Sequence, residues 1–294
     1  MLDRFNIFID NAQDAICAAV EAADGKAVFQ EDVWERPGGG GGRTRVIAEG
    51  AVFEKGGVNI SHVHGDLPEA MKSHFGVMGS RFSACGISLV LHPRNPYVPT
   101  VHANYRYFEV EGDAWFGGGA DLTPYYLFED DAQHFHRVHK AACDRIDSGF
   151  YPEFKKACDQ YFVNTHRGET RGIGGIFYDY KRADAKHPAE DWLRLARFCA
   201  DGFIDAYIPI VEKRKHSPYF GPQRHWQEIR RGRYAEFNLI HDRGTLFGLK
   251  TDGRIESILM SLPPQARWEY MHAPKPGTPE SKLLDVLKKP KGWV

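Results

Sequence analysis

Two neighbouring segments with a two-residue period constrain this chain more than any other feature. Ile87-Ser88-Leu89-Val90-Leu91-His92-Pro93 and Val101-His102-Ala103-Asn104-Tyr105-Arg106-Tyr107-Phe108 are rich in strand formers, and side chains on a strand alternate between its faces. Ser88, Val90 and His92 therefore share one face of the first strand. His102, Asn104, Arg106 and Phe108 share one face of the second, while Ala103, Tyr105 and Tyr107 take the other. Pro93 ends the first strand, because proline donates no ladder bond. The link Arg94-Asn95-Pro96-Tyr97-Val98-Pro99 reads as a turn returning the chain antiparallel. With both polar faces on one side, Ser88, His92, His102, Asn104 and Arg106 line a single cavity. Along the second strand a proton-transfer group, an amide and a planar cation then recur about 6.8 Å apart, a set suited to a carboxylated ligand.

The remaining pattern places this pair in a mixed architecture. Leu2 to Ala23 has apolar residues at helical spacing (Leu2, Phe5, Ile9, Ile16, Val20), stopped by Gly25. Val28 to Glu35 reads as a strand, and Arg43-Thr44-Arg45-Val46-Ile47 as another after the run Gly38 to Gly42. That run has no Lys-Ser/Thr and no helix pattern behind it, so it is not a phosphate-binding P-loop. Strands dominate from Ala51 to Phe116, with a break near Leu67 to Gly76. Helices are expected over Asp130 to Ile146, Tyr151 to Thr165, Pro188 to Lys215 and Pro222 to Arg233. Strands are expected again over Tyr234 to Ile240, Thr245 to Lys250 and Ser257 to Leu262, before a last helix over Glu280 to Leu287. Strands on both sides of a helical middle, without strict βαβ alternation, give the α+β class. The expected fold is a large, mainly antiparallel β-sheet flanked on both faces by α-helices, with residues 1–294 forming one domain.

Composition excludes several classes. A formal net charge of −1 argues against a general nucleic-acid binder. Five scattered cysteines, Cys17, Cys85, Cys143, Cys158 and Cys199, include no CxxC pair and fit a reduced, cytoplasmic-type protein. No run approaches the roughly 18 apolar residues of a membrane span, and the acidic first helix is unlike a signal peptide. A cytoplasmic location is therefore expected, or the mitochondrial intermembrane space if a presequence is missing. Aromatic residues make up 13 % of the chain, enough to wall a broad apolar cavity.

Further motifs carry chemistry. Gly117-Gly118-Gly119-Ala120-Asp121 lets backbone approach a ligand and delivers Asp121 at a strand end. Among 14 histidines, His92, His102, His136 and His166 are candidate ligands of a metal site, although no compact motif such as HExxH supports one. Arg171-Gly172-Ile173-Gly174-Gly175 reads as a glycine-permitted entry into a strand. Phe237 to Thr245 reads as two strands joined by a polar turn, whose Asp242 is placed to hold an arginine or an electron-poor NH. Thr251-Asp252-Gly253-Arg254 reads as a hairpin turn presenting Arg254 to the cavity. No serine–histidine–acid order, Rossmann fingerprint or flavin motif is present. The residues alone describe an enzyme for an anionic, aromatic or macrocyclic ligand. A histidine-cluster metallohydrolase and a non-catalytic tetrapyrrole-binding protein are the alternatives.

Taken together, these motifs closely resemble the oxygen-dependent coproporphyrinogen III oxidases of haem biosynthesis. The resemblance runs from the first helix to Pro290-Lys291-Gly292-Trp293-Val294, and is most specific in Gly86 to Pro93, His102 to Arg106, Trp115 to Pro124, His166 to Gly175 and Glu236 to Trp268. It implies oxidative decarboxylation of two propionates of coproporphyrinogen III to vinyl groups, giving protoporphyrinogen IX, carbon dioxide and hydrogen peroxide. Molecular oxygen is the implied co-substrate, with no organic cofactor. It also implies an obligate homodimer through Tyr234 to Glu269. Position by position, His102 matches the family's proposed proton donor. Ser88, Asn104, Tyr105, Arg106, Asp252, Gly253 and Arg254 match substrate-contacting positions, with Asp252 standing where many relatives have glycine. Bacterial members have been assigned a divalent metal at histidines matching His92, His102, His136 and His166, whereas eukaryotic members are described as metal-free. The ending His272 to Gly277 is more like the eukaryotic members. For such a substrate, Arg106 and Arg254 suit the propionates, and Asp121 or Asp242 suits the pyrrole NH groups, with Asp121 expected to help activate the ring.

Overall fold

The computed structural model describes the chain apart from residues 68–71, 73–77, 251 and 252. Helix α1 (Leu2–Asp24) is followed by six strands: β1 (Gln30–Glu35), β2 (Gly40–Ala48), β3 (Phe53–Asp66), β4 (Arg81–Pro93), β5 (Thr100–Val110) and β6 (Asp113–Thr123). Helices α2 (Glu129–Asp144) and α3 (Phe150–Tyr161) and a short hairpin, β7 (Val163–Asn164) with β8 (Glu169–Thr170), lead to β9 (Gly175–Lys181). Then come α4 (Ala189–Arg214), α5 (Gly221–Glu236), a π-helical turn (Phe237–His241), α6 (Arg243–Lys250), α7 (Ile255–Leu259) and α8 (Pro279–Lys288). Seven strands form one antiparallel sheet in the order β1-β2-β3-β4-β5-β6-β9, so the α+β expectation holds.

The alternation read in β4 and β5 decides which side of the sheet does what. Ile87, Leu89, Leu91, Val101, Ala103, Tyr105 and Tyr107 are buried in one apolar core. In that core, Phe5, Ile9, Ile16 and Val20 of α1 and Leu195, Cys199 and Phe203 of α4 pack together with them. The apolar stripe of α1 predicts this docking, and Gly25 ends the helix in the left-handed region, at φ 73°. Cross-strand register brings Asn59, Ser88 and Asn104 into one row on the other face, and Val90, His102 and Asp121 into the next.

The main departure from expectation lies in residues 234–262, read as three strands but folded as the end of α5, the π turn, α6 and α7. This segment lies across the polar face rather than at a sheet edge. Asn59 Nδ2 donates to the Ser257 carbonyl at 3.0 Å, the Thr44 and Ser257 hydroxyls are 2.9 Å apart, and His92 Nε2 is 2.9 Å from the Ser261 carbonyl. A chain crossing a sheet face has no ladder partner, so its backbone groups must be satisfied internally, and a helix does this. Asp242, expected in a turn between strands, instead starts α6, with its Oδ2 accepting from Thr245 N at 2.7 Å.

Candidate active site

His102 sits on β5 opposite Asp121 on β6, and the two side chains meet with Nδ1 2.8 Å from Asp121 Oδ1. Asp121 is 1 % exposed, whereas His102 retains 20 % exposure. Behind the carboxylate stands Arg171, itself 2 % exposed, whose Nη2 donates to Oδ1 at 2.8 Å and Oδ2 at 2.9 Å. Arg171 Nη1 donates to Asn238 Oδ1 at 2.8 Å. The rings of Phe162, Tyr234 and Phe237 lie 4.3, 4.7 and 4.8 Å from its guanidinium carbon.

Burial pushes the Asp121 carboxyl pKa up, but Arg171 and then His102 push it further down, to below the ordinary carboxylate value. Asp121 is thus ionised and accepts from both neighbours. An ionised acceptor at Nδ1 requires the Nδ1–H form of His102, leaving Nε2 as the nitrogen for proton transfer. Asp121, expected to meet the pyrrole NH groups, is 1 % exposed here and bonded to His102 and Arg171. Arg171, read as part of a structural turn, completes the unit. Its lone position before Gly172 carries no sequence signal for that role.

Four residues further along β5, Arg106 Nη1 donates to Asn104 Oδ1 at 2.8 Å and Nη2 pairs with Asp179 at 2.8 Å. Its side chain is 37 % exposed. Ser88 lies across from Asn104 on the same half-buried face. His102, Asn104, Arg106 and Ser88 are therefore brought together as expected.

Other expected residues are placed elsewhere. Tyr105 faces the core, 1 % exposed, and its hydroxyl has no hydrogen-bond partner among the described residues, so its side chain cannot reach a ligand on the polar face. Asp242 caps α6 and accepts from Tyr161 Oη at 3.0 Å. Gly253 N donates to the Gly248 carbonyl at 2.8 Å. Arg254 is the residue before α7, bonded to Ser257 Oγ at 3.0 Å and ion-paired with Asp32 on β1. Arg254 therefore stands toward the β1 end of the face, between Asp32 on β1 and Ser257, which lies against Thr44 on β2 and Asn59 on β3. Asp252 lies outside the described residues.

The four histidines do not fit a metal. Both ring nitrogens of His92 are engaged, with Thr100 and the Ser261 carbonyl. Those of His136 meet Tyr151 Oη and the Ile173 carbonyl, and those of His166 meet His241 and Glu236. His102 gives Nδ1 to Asp121. Among the described residues, no three His, Cys, Asp or Glu side chains are grouped to hold a metal ion.

An α+β protein that puts an oriented imidazole and an arginine fork on one half-open sheet face is equipped to act on a carboxylated substrate. Residues 4–293 match the family model for coproporphyrinogen III oxidase. The chain is 55 % identical over 307 residues to the chloroplastic oxygen-dependent coproporphyrinogen-III oxidase of Glycine max, covering 99 % of this chain and 79 % of that protein. It is 54 % identical over 308 residues to the Nicotiana tabacum protein of the same name, covering 99 % and 77 %. To the oxygen-dependent coproporphyrinogen-III oxidase of Prochlorococcus marinus it is 50 % identical over 310 residues, covering 97 % and 90 %. The chain belongs to the coproporphyrinogen III oxidase family.

Proposed function

We infer that this protein catalyses the oxygen-dependent oxidative decarboxylation of coproporphyrinogen III to protoporphyrinogen IX in haem biosynthesis. Family membership over nearly the whole chain supports the reaction. The observation that carries it to the chemistry is the shared face of His102, Asn104 and Arg106. For each vinyl group formed, a propionate arm loses its carboxylate as carbon dioxide and one hydrogen with its electron pair from the ring-side carbon. That hydride equivalent, with one proton, reduces one molecule of oxygen to hydrogen peroxide. Arg106 holds a propionate by a charge-assisted fork, Ser88 and Asn104 contact the substrate beside it, and Gly253 and Arg254 contact it at the far end of the face. His102, oriented by Asp121 and Arg171, moves the proton at Nε2.

Oxygen is the co-substrate, no organic cofactor takes part, and residues 1–294 act as one domain. Two copies pair through Tyr234 to Glu269, where Leu239, Ile240, Leu249, Ile255 and Trp268 are exposed apolar side chains. The protein works in the cytoplasm, which cell fractionation checks; among the described residues no helix is long and apolar enough to cross a membrane.

Aerobic and anaerobic incubation with coproporphyrinogen III, followed by fluorescence chromatography of the oxidised products, tests the activity. Protoporphyrin forming only with oxygen supports it. No conversion, with or without manganese, would put the non-catalytic tetrapyrrole-binding reading in its place.

A further inference from the structure

Asp179 on β9 has no part in the chemistry derived so far, yet it joins two exposed guanidinium groups of this face. Its carboxylate lies 2.8 Å from Arg106 Nη2 and 3.5 Å from Arg243 Nη2, at the start of α6. Its Oδ1 also accepts from Tyr180 N at 2.9 Å. Gly117 lies beneath the Arg106–Asp179 pair. A Cβ there would come within 2.8 Å of Asp179 Oδ1 and 2.9 Å of Arg106 Nε, so the absence of a side chain on β6 lets the pair cross it.

We propose that Asp179 is a positioning and selectivity residue, resting on the reading that Arg106 holds a substrate carboxylate. Two consequences follow from its place. Asn104 takes an N–H from Nη1 of Arg106, while Asp179 is ion-paired with Nη2 at 2.8 Å, which leaves enough guanidinium donors for one bidentate carboxylate. The charges of Arg106, Arg243 and Asp179 sum to +1, so the corner accepts one carboxylate without retaining a second. For a substrate with four carboxylates and a product with two, such a limit keeps binding reversible. Arg243 is 53 % exposed and supplies the part of this charge that can be removed without opening the core.

The test counts charge and position separately. Binding of coproporphyrin, the oxidised tetracarboxylate, is measured by fluorescence quenching at low and high salt, alongside turnover of coproporphyrinogen III. Asp179→Asn raises the corner to +2 and should tighten coproporphyrin binding on the order of tenfold at low salt, with a steeper salt dependence. Arg243→Gln lowers it to zero and should weaken binding about as much. The double variant returns to +1, and its Kd should return to within about threefold of the unaltered protein. The kcat should fall about tenfold in Asp179→Asn and stay low in the double variant, because Arg106 then keeps Asn104 as an anchor but lacks the carboxylate that fixes its other end.

Unchanged or weaker binding by Asp179→Asn, or a double variant whose Kd does not return, overturns the proposal. If Asp179→Asn does not fold, Arg243→Gln decides alone: unchanged coproporphyrin affinity and salt dependence overturn the charge count. Unaltered protein that binds coproporphyrin but does not convert coproporphyrinogen III refutes the activity, while the pattern of Kd values still decides the role of Asp179.

Discussion

Asp121→Asn is the most informative single change, because one atom exchange alters both stability and proton transfer. The variant keeps the shape of the side chain but removes the anion on which Arg171 and His102 converge at 2.8 Å. Arg171 would then be a cation at 2 % exposure with Asn238 and three aromatic rings as its remaining partners. Removing one member of a buried ion pair costs about 3–5 kcal/mol, and in a chain of this size each kcal/mol lowers Tm by roughly 2–4 °C. A fall in Tm of about 10 °C is expected. The amide also no longer fixes the Nδ1–H tautomer of His102, and loss of a correctly held proton-transfer group lowers kcat by about 10²–10⁴. Adding Arg171→Met removes the stranded cation, so the double variant should regain part of the Tm and none of the turnover. Thermal denaturation with oxygen-dependent protoporphyrin formation measures both. Asp121→Asn with Tm within about 2 °C and turnover within about twofold of the unaltered protein would refute the reasoning that His102 is held through a buried anion.

Three other changes probe separate parts of the structure. Tyr105→Phe removes a buried hydroxyl that has no partner among the described residues, so stability should stay level or rise slightly and KM should not move; a raised KM would mean that the hydroxyl reaches the substrate. Burial raises the Glu236 pKa, but hydrogen bonds from Arg167 and His166, the charge of Arg233 and a bond from Trp268 bring it down to about 2. Its stabilisation is therefore complete above about pH 4.5 and lost as pH falls toward 2. Glu236→Gln should cost up to about 3 kcal/mol at pH 7 and roughly 1 kcal/mol less at pH 3.5, and an equal cost at both pH values in urea denaturation would contradict that sign. Because three of the four histidines have both ring nitrogens engaged, chelator-treated protein shown metal-free by elemental analysis should keep its turnover; loss of activity restored by a divalent ion would reverse this reading.

Local patterning made the sheet and half of the site legible. A two-residue period places His102, Asn104 and Arg106 on one face and Tyr105 on the other before any coordinates are known, since alternation is a property of the strand itself. The same logic opposes a Tyr105 side-chain contact, and the structure sides with alternation over the family correspondence. Arg171, Asp179 and Asn238 were not legible, because each joins the site through a partner 50 or more residues away, or across strands not adjacent in sequence. The start of α6 was partly legible: Asp242 followed three residues later by Thr245 fits a helix cap as well as a turn between strands. Only the placement of the segment on the sheet face decides between them.

That placement matters for the chemistry at His102. Phe237 and Asn238 are consecutive, and both touch Arg171, one through a ring 4.8 Å from the guanidinium carbon and the other through an oxygen 2.8 Å from Nη1. Consecutive residues of a strand point to opposite faces, so the expected strand over Tyr234 to Ile240 would have offered Arg171 only one of them. The π turn, closed by Asp242 N donating to the Phe237 carbonyl at 2.9 Å, brings both to the same arginine. It also sets His241 Nε2 2.8 Å from His166 Nδ1, tying the turn to the loop between β7 and β8. Arg171 holds Asp121 ionised, and Asp121 fixes the proton on His102. The proton-transfer nitrogen on β5 thus depends, together with Phe162 and Tyr234 around the same arginine, on a widened helical turn more than 130 residues further along the chain.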